Sequence, residues 1–179
     1  MVVTPTLTGV GERFHVSSEA ITLETHIRDV VSCIEAEELD QVVLCGHSYG
    51  GMVTTGVADR MGERIKTLVY LDAFVPEHGD SCNGLLSKAL APEIAQQLLE
   101  GIRRVALERR SGMVTPLSAE VFNVTPERRD WVNRRCVPQP LATFEMPILL
   151  LGRADAIKRR SRPKEARKIV AFRRHSGTQ

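Results

Sequence analysis

Residues 41–52 of the chain read Gln41-Val42-Val43-Leu44-Cys45-Gly46-His47-Ser48-Tyr49-Gly50-Gly51-Met52. The first five form a short apolar run, too short for a helix and typical of a strand buried on both faces of a parallel sheet. A helical pattern follows to about residue 61, with an apolar stripe formed by Met52, Val53, Val57 and Met61. The G-x-S-x-G pattern at residues 46–50 thus lies between a strand and a helix, which predicts a nucleophile elbow rather than a chance match in a glycine-rich loop.

Each residue type in this elbow has a physical reason. The turn from strand to helix is so tight that its flanking positions must be small, which explains Gly46 and Gly50. Ser48 is expected on a strained corner with its Oγ exposed at the carboxyl edge of the sheet. The start of the following helix favours negative charge, and the backbone N–H of Tyr49 is the predicted oxyanion-hole donor. His47 lies inside the elbow with its side chain directed away from the nucleophile, so we assign it a structural role.

The neighbouring sequence continues the alternation of strands and helices. Residues 67–71 predict a second buried strand, and residues 2–7 predict a short strand before a glycine-punctuated loop. After the loop and before the strand at residues 41–45, Thr25 is the predicted N-cap of a helix. The apolar face of that helix, spaced i, i+3, i+4, i+7, consists of Ile27, Val30, Val31 and Ile34. This order predicts an α/β fold with a parallel sheet flanked by helices.

The middle of the chain has a helical pattern instead. Residues 82–110 are predicted to be helical, with Pro92 near a helix start. One side of this stretch is apolar and consists of Ile94, Leu98, Ile102 and Val105. Thr125, followed by proline, is the predicted cap of a further helix that includes Trp131. We interpret this region as a helical insertion, after which residues 147–152 predict one more strand.

Composition limits the class of protein. The chain has 179 residues, a net charge of +2 and 42% hydrophobic residues, which predicts one folded domain rather than disorder. No apolar run approaches the roughly 18 residues needed to cross a membrane, and the start has no signal-peptide pattern. The cysteines are widely spaced and predict reduced thiols in a cytoplasmic protein: Cys33, Cys45, Cys82 and Cys136. No motif indicates a metal ion or a cofactor.

The charge is unevenly distributed. Residues 1–151 hold 14 basic and 20 acidic residues, whereas residues 152–179 hold 10 basic and 2 acidic ones. Such a basic tail is either a solvated end or an arm that binds nucleic acid. It has one aromatic residue, Phe172, and no recognition motif, so nucleic acid is not the expected partner. A frameshifted or truncated end is the third interpretation, and we prefer it.

A series of motifs resembles the α/β-hydrolase superfamily, and within it the cofactor-free esterases related to plant methylesterases and hydroxynitrile lyases. The resemblance covers about residues 2–152, and the order of the motifs is more specific than the elbow alone. The motifs are Thr4-Pro5-Thr6-Leu7-Thr8-Gly9-Val10-Gly11-Glu12-Arg13, Thr25-His26-Ile27, Asp29-Val30-Val31, the stretch from Val42 to Met52, Val69-Tyr70-Leu71-Asp72-Ala73-Phe74-Val75-Pro76, and Pro138-Gln139-Pro140-Leu141.

The resemblance implies a partial α/β-hydrolase fold with a helical cap insertion. We assign residues 1–77 to the hydrolase core, 78–140 to the cap, 141–157 to a return to the core, and 158–179 to a basic tail outside the family pattern. The family opens with a strand and a His-Gly-type loop that supplies a second oxyanion donor. Roughly the first forty family residues, including that donor, are expected to be absent here.

The resemblance also implies a Ser-His-acid triad that cleaves esters through an acyl-enzyme, with Ser48 as the nucleophile. Two carboxylates remain open as the acid. Asp72 ends the strand after the elbow, while Asp155 lies in a GxxD-like turn against which the family register argues; either could be structural. His175 lies in the right half of the chain for the base, although its surroundings are not the family motif. The other histidines are assigned to loops, a helix start and the elbow: His15, His26, His47 and His78.

Three hypotheses about function follow. The first is a hydrolase of small carboxylic esters that acts through Ser48. The second is a catalytically impaired fragment, or a ligand-binding remnant of the same fold, that lacks the triad histidine. The third and weakest is a nucleic-acid partner bound by the basic tail. The expected partner is a small ester, with no membrane, and the oligomeric state is left open.

Overall fold

The computed structural model describes residues 1–108, 112–153 and 157. At its centre lie two parallel strands, β1 (Val42–Ser48) and β2 (Ile65–Ala73), with helix α2 (Gly50–Arg60) between them in the chain. Each strand is longer than the apolar run that predicted it, and β1 continues to Ser48. The predicted parallel strand–helix–strand unit is therefore confirmed.

Helix α1 (Leu23–Ala36) packs against α2 on one side of this sheet. Its predicted apolar face is confirmed, since Ile27, Val30 and Ile34 are buried. The N-cap is Thr22 rather than Thr25, because Thr25 is the third helical residue and completes a capping box with Thr22. The core of the protein lies between the two helices and the sheet.

The two faces of the sheet differ, so the predicted burial of β1 on both faces is wrong. Val43 and Leu71 are 63% and 60% exposed on the face turned away from the helices. Leu44 and Leu68, which are opposite each other in the register, are partly buried on the helix side. A continuous apolar run indicates two-sided burial only where a second layer covers the sheet.

The predicted strand at residues 2–7 is also wrong, since these residues form no regular structure. Side-chain contacts hold the segment that follows: the backbone N–H and the hydroxyl of Thr8 donate to the Asp29 carboxylate, at 2.6 and 2.7 Å. The glycine-punctuated loop then forms a 3-10 helix, Gly11–Val16.

The middle of the chain is helical, as predicted. It contains α3 (Cys82–Ala89), α4 (Pro92–Glu108) and α5 (Pro126–Arg135). Two-residue strands β3 (Met113–Val114) and β4 (Gln139–Pro140) pair antiparallel, and a short helix α6 (Ala142–Glu145) follows.

Two details of these helices test the sequence interpretation. Thr125 is the N-cap residue of α5, as predicted, although its side chain makes no capping hydrogen bond. Among the α4 side chains that the structure describes, Ala95 and Ala106 are buried, whereas Ile94 and Leu98 from the predicted apolar side are 57% and 39% exposed.

Residues 147–152 are not a strand, which corrects the last predicted element. Hydrogen bonds to loop and helix residues hold the segment in place. The backbone N–H of Ile148 donates to the Asp80 carbonyl at 2.8 Å. The buried Asp59 carboxylate of α2 accepts from the backbone N–H groups of Leu151 and Arg153, at 2.6 and 2.8 Å. The apolar run at residues 147–152 is therefore anchored to the core by these hydrogen bonds and is not a strand of the sheet.

The proposed boundaries at residues 77, 140 and 157 stay predictions, and the basic tail at residues 158–179 lies outside the described residues. Within the described part of the chain, no helix is long and apolar enough to cross a membrane.

Candidate active site

Ser48 is the last residue of β1 and has a φ of 50°, in the left-handed region that non-glycine residues rarely adopt. Its side chain is exposed, and α2 begins two residues later. A non-glycine residue in this conformation costs about 1–3 kcal/mol and persists where the surrounding structure enforces it. The predicted strained turn between strand and helix is therefore present in the fold.

Two glycines make room for this turn. A Cβ added at Gly46 would lie 2.6 Å from the Gly50 carbonyl oxygen, so the first flanking position must be small, as predicted. At Gly50 the prediction is wrong, because a Cβ there would meet nothing within 4 Å. The second restricted position is Gly51, where a Cβ would fall on the Phe74 carbonyl oxygen.

The turn also sets the surroundings of the Ser48 side chain. Tyr49 is the N-cap residue of α2, and the Tyr49 carbonyl accepts from the Met52 N–H at 2.9 Å. The first N–H groups of a helix have no acceptor within the helix and carry the positive end of its dipole. Negative charge that develops on a substrate beside Ser48 would be stabilised there.

Asp72 lies at the same end of the sheet as Ser48. His47 pairs with Leu71 and Ser48 pairs with Ala73, so Asp72 is the extra residue of a bulge opposite the elbow. It is exposed and has a φ of 43°. The strand-end position predicted for this carboxylate is confirmed, and a second strained residue thus stands beside the first.

The remaining predicted site residues lie apart or outside the described residues. His47 is exposed on β1, with its side chain on the opposite side of the strand from that of Ser48. Asp155 and His175 fall outside the described residues, so the structure gives no position for them. His15 and His78 are exposed, as predicted for surface positions.

His26 takes part in the site through Tyr49, which sequence reasoning missed. Its side chain is fully buried, Nδ1 lies 3.0 Å from the Tyr49 hydroxyl, and Nε2 lies 2.9 Å from the Thr8 carbonyl oxygen. Burial lowers the pKa of the imidazole below its ordinary value. The signal in the sequence was its spacing, since position 26 precedes Val30 by four residues and shares the apolar face of α1.

Two features of the described part of the chain bear on sites other than the elbow. No group of three or more His, Cys, Asp or Glu side chains there could hold a metal ion. A groove beside α1 is lined by charged side chains, among them Arg13, Glu24 and Asp29, and contains none of the predicted site residues. The predicted site residues Ser48 and Asp72 therefore lie apart from this groove, at the carboxyl ends of β1 and β2.

Comparison with known proteins identifies the fold. The model of the alpha/beta hydrolase family matches residues 2–176. The chain belongs to this family. A curated relative from Nocardioides sp. (strain SG-4G), named a carbendazim hydrolyzing esterase, is 64% identical over 159 residues, which are 89% of this chain and 66% of the relative. The chain therefore spans slightly less than two thirds of that protein's length.

Solved structures of α/β-hydrolases have the same fold. An extracellular α/β-hydrolase from a Paenibacillus species matches with a TM-score of 0.70 and 22% identity, over 87% of this chain and 61% of that chain. A methylesterase from Arabidopsis matches with a TM-score of 0.58 and 17% identity, over 86% of this chain and 61% of that one. The predicted α/β-hydrolase fold and the resemblance to the esterase branch are confirmed.

Proposed function

We propose that the chain hydrolyses small carboxylic esters through an acyl-enzyme on Ser48. The observation that carries this proposal is the φ of 50° at Ser48, enforced by Gly46 and Gly51 at the junction of β1 and α2. Such a turn exposes a serine Oγ above the sheet edge at the start of a helix. The relative that is 64% identical bears the name of an esterase, which supports the same reaction.

In the proposed reaction the Ser48 Oγ attacks the ester carbonyl carbon and gives up its proton to a histidine. The carbonyl oxygen becomes an oxyanion, which accepts a hydrogen bond from the Tyr49 N–H. Collapse of this intermediate breaks the bond to the alcohol, which takes the proton from the histidine as it leaves. A water molecule then attacks the acyl-enzyme by the same route, releasing the acid and restoring Ser48.

His175 is the proposed base, and Asp72 or Asp155 the proposed acid that orients it. Asp72 has support from its position, because the bulge places it at the end of β2 next to the elbow. Of the two acids, the Asp72→Asn variant tests the one that the structure describes. If Asp72 orients the base, this variant loses about as much activity as a triad mutation, up to about 10⁴-fold.

The test of function is hydrolysis of a short-chain activated ester, p-nitrophenyl acetate, by the purified chain and by its Ser48→Ala variant. Carbendazim is the second substrate, since the relative that is 64% identical is named for it. Loss of a working nucleophile costs up to about 10⁶ in kcat. We expect the unmodified chain to exceed the variant by several hundredfold or more. Equal rates on both substrates would contradict the proposal.

A further inference from the structure

The side chain of Tyr49 is anchored on both sides of the elbow. Its hydroxyl contacts His26 Nδ1 at 3.0 Å and faces the side chain of Thr143. The ring makes an edge contact with His26, at a centroid distance of 5.8 Å, and a tilted contact with Phe144 at 5.4 Å. One residue of the elbow is thus held by α1 and by α6.

The Thr8 carbonyl oxygen, on the other side of the His26 ring from Tyr49, determines where the protons of this contact lie. The Thr8 carbonyl oxygen can only accept, so His26 Nε2 carries a proton and donates to it. Burial favours the neutral imidazole, which leaves Nδ1 without a proton. The Tyr49 O–H therefore donates to His26 Nδ1. The hydroxyl has a fixed acceptor, and the orientation of the ring is fixed with it.

The backbone of the same residue is the proposed oxyanion donor. Tyr49 follows the strained Ser48 directly, so its ring and its N–H belong to one short rigid segment. A displacement of about 1 Å near reacting groups can cost about 10²-fold in rate. We propose that His26 is a positioning residue, which holds the Tyr49 N–H in place for the oxyanion through the hydroxyl of Tyr49. This inference rests on the proposed esterase function.

The chain offers a matched control, because it has two tyrosines and the second also makes a hydroxyl contact within the fold. The Tyr70 hydroxyl lies 2.7 Å from Thr55 Oγ1, which also donates to the Gly51 carbonyl oxygen. This contact lies near the elbow but does not include Tyr49, so it controls for the loss of a hydroxyl in the same neighbourhood. Tyr49→Phe and Tyr70→Phe each remove one hydroxyl and keep the ring. We expect kcat on p-nitrophenyl acetate to fall about tenfold in Tyr49→Phe with KM within about twofold, since the N–H acts mainly on the transition state. In Tyr70→Phe, kcat stays within about twofold.

The His26→Gln variant tests the same contact from the other side. It is expected to lower kcat as Tyr49→Phe does. The double variant is expected to lose no more than the larger single loss, because both changes remove the same hydrogen bond between Tyr49 and His26, and the bond from His26 to Thr8 is changed equally in the single and double His26 variants. Equal losses of kcat in Tyr49→Phe and Tyr70→Phe would overturn the proposal. Full additivity in the double variant would overturn it as well.

Hydrogen exchange separates this inference from the esterase function. The amides of residues 46–53 are expected to exchange at least about tenfold faster in Tyr49→Phe than in the unmodified chain, and to change by a clearly smaller factor in Tyr70→Phe. If the unmodified chain hydrolyses no faster than Ser48→Ala, the esterase function fails and this exchange comparison alone decides. Unchanged exchange at the elbow in Tyr49→Phe would then overturn the positioning role.

Discussion

The two faces of the β1–β2 sheet have similar side chains and opposite surroundings. On the helix side, Met52, Val57 and Ala58 of α2 are completely buried in the core. On the other side Val43 and Leu71 are more than half exposed, although they are as apolar as the partly buried Leu44 and Leu68 on the helix side. The packed face is the one that contacts α2 and supports the turn at Ser48. The elbow therefore depends on one face of the sheet, built from residues close to it in sequence.

The largest effect on stability is expected from a substitution at Gly51 of the elbow, with the adjacent Gly50 as the control. In Gly51→Ala the new Cβ would fall on the Phe74 carbonyl oxygen, which is backbone and cannot move aside. We expect a loss of about 3 kcal/mol, the upper end of the cost of overpacking. Gly50→Ala is the matched control, since its Cβ meets open space, and it is expected to be neutral or slightly stabilising. Urea unfolding of both variants measures this; equal losses would show that the Phe74 carbonyl does not set the cost at Gly51.

The next effect compares the same substitution at a valine of the packed helix α2 and at a valine on the open face of the sheet. Val57→Ala opens a cavity in the packed face and is expected to cost about 2 kcal/mol. Val43→Ala, at 63% exposure, is expected to cost less than about 1 kcal/mol. Denaturant midpoints at constant m value provide the comparison. A cost at Val43 as large as that at Val57 would mean that the open face is covered in solution.

A smaller effect is expected where α2 anchors the segment that contains Leu151. The two carboxylate oxygens of Asp59 accept from the backbone N–H groups of Leu151 and Arg153, and Asp59→Asn keeps only one of these two acceptors. Leaving one buried amide without a good partner is expected to cost about 1 kcal/mol. Asp40→Asn, at an exposed position before β1, is the control and is expected to have no effect. A loss in the control that matches Asp59→Asn would contradict the anchoring role.

The smallest effect is a dependence of stability on pH that the buried His26 causes. The pKa of His26 lies below its ordinary value of 6.5, mainly because burial disfavours the charged ring; Arg13 acts in the same direction, while Thr8 and Asp29 oppose it. Below pH 6.5 the unfolded chain binds the proton first, so the free energy of unfolding falls as the pH is lowered through this range and is unchanged above it. Urea midpoints between about pH 7.5 and about pH 5.5 test this. The slope must be smaller in His26→Gln; an equal slope would assign the dependence to other groups.

The sequence predicted the elbow because all of its determinants are local. Gly46 and Ser48 lie within three residues, and the flanking strand and helix are contiguous with them. A short pattern with a defined strand and helix on either side is enough to specify such a turn. The same locality explains why the position of Asp72 was predicted, since it lies near the end of β2, the first strand after α2.

The errors have the opposite cause, because each depends on what packs against a segment. The apolar run of β1 does not tell whether a layer covers both faces, and the run at residues 147–152 does not tell whether a strand lies beside it. His26 was assigned to a helix start, although its partners are Thr8 and Tyr49, which lie 18 and 23 residues away. A lone histidine on an apolar helix face reveals its role only when the fold places a hydroxyl next to it.

The central claim is that Ser48, on the strained turn at the end of β1, forms the acyl-enzyme. The most direct measurement is a rapid acid quench of the chain during turnover of p-nitrophenyl acetate, followed by peptide mass spectrometry. The account predicts an acetyl group on the peptide that contains Ser48, and no acetyl group on that peptide in Ser48→Ala. Turnover that continues in Ser48→Ala at the unmodified rate, or an acetyl group that maps to another residue, would contradict it.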